Sequence, residues 1–258
     1  MQMKQLGLLA ACLLATSFTA CTKASEGLDN SLVSVRIFAG DSGPMHTRTS
    51  TTAEVDALIA AACPASVSLT LTNKDNGLTY TATTGEAVLL PVGTYRVTGR
   101  YKPTSAGAYN GSAYVATAPA FNVDAELSVA AGTSVYSVPV VWSSFALCCD
   151  TGEVTGWSWY PYAGNATAPP EARQGGTSLF FVCGAIERGA MRVALSPADL
   201  GHYSATDWYI ATAQSELAGF DNSLLASAGR WYRLHPNGVV TESGNIALQF
   251  PAWECGCE

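Results

Sequence analysis

The sequence predicts an all-β protein built as two β-sandwich domains in tandem, with one or two short helices, and three observations carry that expectation. Apolar residues recur mostly with period two in short runs, and those runs are separated by Gly, Asn, Asp and Pro. Charged residues make up only 13% of the 258 residues, while Gly, Ser, Thr and Ala are abundant. That composition suits pleated, half-buried strands better than helical bundles.

Residues 31–38 open the series, with Val33, Val35 and Ile37 on one face. Residues 66–72 place Val67, Leu69 and Leu71 alike, and residues 73–77 supply a hairpin turn into residues 78–80. Residues 88–93 lead into 94–98, where Tyr95 and Val97 point one way and Thr94, Arg96 and Thr98 the other, so one face is buried and one is wet. Residues 121–129 alternate most regularly, and residues 135–142 are expected to pair beside them. The helix of this half is expected over residues 52–62, opened by Thr51 and Glu54 as a capping box and closed before Cys63-Pro64. Its expected place is over a sheet edge or end.

The texture changes at Cys149-Asp-Thr-Gly152, and residues 160–176 are rich in Pro, Gly and Ala, which sets a domain boundary near 150. The expected domains are residues 31–150 and 151–258. In the second, residues 179–183, 191–195 and 208–211 read as strands, and Ser196-Pro-Ala-Asp starts a helical turn. Residues 231–234 and 245–250 read as the last strands, flanking the turn at residues 235–238.

Residues 1–20 have the layout of an export signal: Lys4, a mostly apolar run over 6–18, then small residues before Cys21. The run is too short to span a bilayer. Phe18-Thr19-Ala20-Cys21 resembles a bacterial lipobox, in which the cysteine receives diacylglycerol before cleavage. Leu9-Ala10-Ala11-Cys12 matches the letters better but leaves too short an apolar run before it. Cys21 is therefore the expected lipidation site, with residues 21–30 as a polar tether. The expected location is the outer membrane or cell surface of a Gram-negative bacterium, held by a lipid anchor rather than a spanning helix.

A net charge of −7 without a Lys/Arg cluster argues against nucleic acid. Apart from Cys12 and Cys21 there are six cysteines, Cys63, Cys148, Cys149, Cys183, Cys255 and Cys257. An even number in an oxidising compartment predicts up to three disulfides, and the spacing does not choose the pairing. A metal site on Cys148-Cys149 and Cys255-Gly-Cys257 is disfavoured, because neither pair has CxxC spacing.

Gly40-Asp-Ser-Gly-Pro44 spells the nucleophile loop of chymotrypsin-like proteases, yet that family needs a histidine earlier in the chain, and His46, His202 and His235 all follow Ser42. It reads instead as a turn after a strand. No HExxH pair, phosphate loop or dinucleotide loop occurs. The expectation is a non-enzyme without cofactor or metal. Trp157-Ser-Trp159-Tyr-Pro-Tyr162 is the most aromatic stretch, with Trp157 and Trp159 on one side of a strand. They would either grip a sugar from a surface ledge or fill the core.

Taken in order, these features resemble the fimbrillin superfamily, lipoprotein pilus subunits and adhesins called type V pilins when they polymerise. The matching features are the lipobox cysteine, the polar tether, the strand over residues 32–38, a loop reaching Thr47-Arg48-Thr49, a hairpin over residues 90–97, and Gly229-Arg-Trp-Tyr-Arg-Leu234 before a last strand ending at Trp253. The resemblance implies transthyretin-like, Greek-key sandwiches, cleavage after Arg48, loss of the first strand, and filling of its groove by a neighbouring subunit's strand. Residues 245–253 would be the donated strand. Six cysteines depart from the pattern: a disulfide at Cys255 or Cys257 would pin that strand and favour an anchor, tip or stand-alone adhesin with host or polysaccharide ligands. The alternative is a glycan-binding surface lipoprotein of a polysaccharide-uptake system, contacting its ligand through Trp157 and Trp159.

Overall fold

The computed structural model describes residues 32–40, 50–108, 113–149, 152–160, 171–173, 179–187, 189–197 and 206–246. The all-β expectation holds. After β1 (Leu32–Ala39) comes a helix, α1 (Ser50–Ala62), and then β2 (Ser68–Asn73), β3 (Thr79–Thr83), β4 (Ala87–Pro91) and β5 (Gly93–Tyr101). Two short strands, β6 (Gly107–Ala108) and β7 (Tyr114–Ala116), precede β8 (Phe121–Val129), β9 (Val135–Val138), β10 (Val141–Trp142) and β11 (Ser144–Cys148). The remaining strands among the described residues are β12 (Val154–Tyr160), β13 (Glu171–Arg173), β14 (Leu179–Cys183), β15 (Met191–Pro197), β16 (Thr206–Ala211), β17 (Ser223–Leu225), β18 (Arg230–Leu234) and β19 (Val240–Asn245), with a 3-10 turn at Gln214–Leu217.

These strands form two sandwiches. In the first, a three-stranded sheet ordered β4-β1-β9 faces a five-stranded sheet ordered β10-β8-β5-β2-β3. Val35, Ile37, Leu90 and Val138 of one meet Leu69, Leu71, Tyr95, Val97, Phe121 and Leu127 of the other in one core. The outer face of the larger sheet is polar, as its alternation requires: Thr70 lies across from Thr81, and Arg96 pairs with Asp124 at 3.0 Å. The hydrogen bonds and charge of Arg96 hold the Asp124 carboxyl below its usual range.

In the second sandwich, a six-stranded sheet ordered β19-β18-β11-β14-β7-β6 faces a five-stranded sheet ordered β13-β12-β15-β16-β17. The six-stranded sheet is covered on both faces. Phe145 and Leu147 of β11 and Phe180 and Val182 of β14 join the sandwich core. Ala146, Cys148, Leu179, Phe181 and Cys183 point the other way, against Val55 and Ile59 of α1 and against Trp231.

Several expectations are corrected. The helix begins at Ser50, so Thr51 lies inside it, and it covers a sheet face rather than an edge or end. Leu90 to Val97 is no hairpin: β4 bonds β1 in one sheet and β5 lies in the facing sheet, so the chain passes from one sheet to the other at Val92. Residues 135–142 split likewise, β10 pairing with β8 and β9 with β1. Ser196 and Pro197 end β15 instead of starting a helix. The turn at residues 235–238 closes directly into β19, a strand the sequence reading did not expect, while most of the strand expected over residues 245–250 lies outside the described residues. Sheet pairing also does not divide at 150, since β6, β7 and β11 all belong to the six-stranded sheet.

Because Phe181 has no exposed surface and bridges α1 and the six-stranded sheet, Phe181→Ala is expected to cost about 3–5 kcal/mol. Thr81→Ala on the solvated face is expected to stay within about 0.5 kcal/mol. Urea unfolding of both variants checks the contrast.

Candidate functional site

The first sandwich owes its closure to β1. It is the middle strand of its sheet, antiparallel to β4 over five Cα pairs from Leu32↔Pro91 to Arg36↔Ala87, and parallel to β9 over four from Arg36↔Val135 to Ala39↔Val138. Alternation turns Val33, Val35, Ile37 and Ala39 inward, and the last three have no exposed surface. Leu32 and Ser34 face out, and the outer side of this small sheet exposes Leu32, Leu89 and Val135.

The backbone is tied as fully as the side chains. Arg36 N–H donates to Ser134 O at 2.7 Å, and Gly40 N–H donates to Val138 O at 2.8 Å. On the other side, Gly85 N–H in the turn before β4 donates to Ile37 O at 2.9 Å. Tyr95, buried beneath this sheet, donates its hydroxyl to Pro91 O at 2.7 Å and so fixes the end of β4. Without β1, a groove lined by Leu90, Val138 and the core would open, and β4 and β9 would each present unpaired backbone groups, a template for another strand.

Among the other residues singled out in the sequence, Cys21, Arg48, His46, His202, Cys255 and Cys257 lie outside the described residues. So do the loop over 41–49 and most of the segment 245–253. What is described of that segment is docked on this chain's own body: Asn245 pairs with Arg230, and Ile246 is 4% exposed, its N–H donating to Gly229 O.

The surface-ledge expectation for Trp157 and Trp159 is corrected. They do share one side of β12, but that side is the core, where they are 4% and 3% exposed. Both pack on Phe180, with ring centroids 4.8 and 5.3 Å apart. On the opposite side of the strand, Tyr160 is covered by the Arg192 guanidinium at 3.9 Å, which also meets Asp207 at 3.3 Å.

The disulfide expectation is corrected for pairings among Cys63, Cys148, Cys149 and Cys183, since no disulfide joins any two of them. Neighbouring Cys148 and Cys149 point to opposite faces of the sheet and into different cores. Cys148 and Cys183 sit at opposite ends of the β11–β14 pairing, across from Leu179 and Ser144, too far apart for an S–S bond. Burial pushes the Cys63 thiol up to about 12, and burial also dominates at Cys183, likewise pushed up to about 12 against the hydrogen bonds of Tyr114 and Ala120.

His235, the histidine among the described residues, is structural. Its Nδ1 accepts the Asn237 N–H at 3.1 Å, which leaves Nε2 to donate to Glu153 Oε1 at 3.0 Å, and the two bonds brace the turn before β19. Among the described residues no group of three or more His, Cys, Asp or Glu is arranged to hold a metal ion. No described helix is long and apolar enough to cross a membrane.

No protein-family model and no curated protein matches the sequence. Among solved structures, the chain is similar to a proposed cell adhesion protein from Bacteroides uniformis, at 12% identity over 84% of this chain and 99% of that one, with a TM-score of 0.40. A proposed cell adhesion protein from Bacteroides eggerthii gives 10%, 86%, 96% and 0.37. A fimbrial assembly protein from Parabacteroides distasonis gives 12%, 83%, 93% and 0.35. Likeness at these values bears on neither the function nor the site.

Two outcomes follow from the geometry. Ile37→Ala is expected to lower stability by about 2–5 kcal/mol, and Leu32→Ala by under about 0.5 kcal/mol, measured by urea unfolding. At pH 8, alkylation of Cys63 and Cys183 in the native chain is expected to be at least about a hundredfold slower than in urea, read by peptide mass mapping.

Proposed function

We propose that this chain is a non-catalytic surface lipoprotein of fimbrillin-like kind, a fimbrial subunit or an accessory anchor or tip protein in cell adhesion, which assembles by exchange of β1 for a strand of another chain. Cys21 carries its lipid at the outer membrane, and cleavage at Arg48 frees β1. The observation that carries the reading is the place of β1: the first described strand fills the middle of a sheet, and residues 41–49 join it covalently to the described strands that follow. Once cut there, β1 is held by contacts alone, and a competing strand gains the same buried faces and the same ladder.

The docking of Ile246 favours the accessory role over a polymerising shaft. Asn245 and Ile246, already held against β18 and the α1 layer, have to leave these contacts before they can enter a neighbour. The glycan-binding alternative loses the two rings named for it, since neither offers a face to a sugar.

Brief treatment of the exported chain with an arginine-specific protease is expected to cut at Arg48, and SDS electrophoresis without boiling is expected to show higher species with partner subunits present. Arg48→Ala is expected to abolish both. A chain that is cut but never exchanges β1 would sink the assembly reading.

A further inference from the structure

The groove that β1 fills is not uniform along its length. Its inward residues run Val33, Val35, Ile37 and then Ala39, so the end of the groove is narrow. Ala39 has no exposed surface and lies opposite Val138, which is 1% exposed. The next residue, Gly40, has φ of 135°, where residues with a side chain are strained.

Both backbone polar groups of Gly40 are held: its N–H by Val138 O at 2.8 Å, and its carbonyl by the Ser137 hydroxyl, which donates to it at 2.7 Å. Upstream, Arg36 N–H donates to Ser134 O. By the two-residue repeat of a parallel ladder, the Phe38 N–H faces β9 as well.

We infer, resting on the strand-exchange reading, that the groove is a selective peptide site. It takes a strand parallel to β9, with apolar residues at the places of Val33, Val35 and Ile37, a small residue at that of Ala39, glycine next, and no proline at the places of Arg36 or Phe38. The chain's own final segment does not meet these terms. Ile246, Leu248, Phe250 and Ala252 repeat the spacing and end on alanine, but Pro251 stands where the Phe38 N–H is needed, and Trp253 stands where glycine is required. A shift by two residues would drive Phe250 into the alanine pocket. The strand that replaces β1 is therefore not the final segment of a second copy, and this chain accepts a strand without donating residues 245–253.

The test uses the full chain with a site-specific protease sequence inserted between Thr47 and Arg48, cut so that β1 is retained by contacts alone. Four fluorescent peptides compete for the groove: residues 32–40, the same with Ala39→Leu, the same with Gly40→Val, and residues 245–253. Anisotropy is expected to show exchange of the first, with the other three at least about tenfold weaker. Binding of the 245–253 peptide, or of either substituted peptide, as tight as that of residues 32–40 would overturn the selectivity. Failure of the 32–40 peptide itself to enter would instead overturn the strand exchange on which the inference rests.

Discussion

The pairing of β1 between β4 and β9 is the constraint on which the first sandwich depends. β4 and β9 have no hydrogen bonds to each other. They are a sheet only because β1 bridges them, and the larger sheet's apolar face, with Leu69, Leu71, Tyr95 and Val97, is covered only if that sheet exists. Burying side chains such as Val35 and Ile37 is worth about 1.5–3 kcal/mol each, so the same strand that defines the sheet is a large share of the domain's margin. Under the proposed exchange, stability and assembly would draw on the same contacts.

The second sandwich answers a different demand. Its six-stranded sheet buries both faces, one in the sandwich and one against α1. Trp142, at the end of the first sandwich, packs against both the first core and the α1 layer. Gly229, with φ of 78°, allows Trp142 its close approach, since a Cβ there would lie 2.8 Å from the indole. The two halves are thus stitched through packed side chains, and the strands β6, β7 and β11 cross any boundary drawn in sequence.

Strand alternation was legible from the residues: the faces of β1, β2, β5 and β8 are as their period-two patterns require. Sheet membership was not, because alternation says which residues share a face and nothing about which strand lies beside it. That is why β4 and β5, adjacent in sequence and both regular, fall in different sheets. Trp157 and Trp159 show the same limit. Their spacing puts them on one side, and only the partner sheet decides whether that side is wet. β11 and β14, buried at every position, have no alternation to read, and β11 was missed. The place of β1 was visible as a strand, while the narrow end at Ala39 and Gly40 emerged only with the register against β9.

Gly40 and Ser137, bonded to each other, are 97 residues apart in the chain. A polypeptide that emerges from its N-terminus first must therefore carry β1 without its parallel neighbour until nearly the whole first sandwich has been delivered. Non-local pairings of this kind form late and slowly. The first described strand is made long before the strand it lies parallel to, so the groove is open for a time in every newly made molecule.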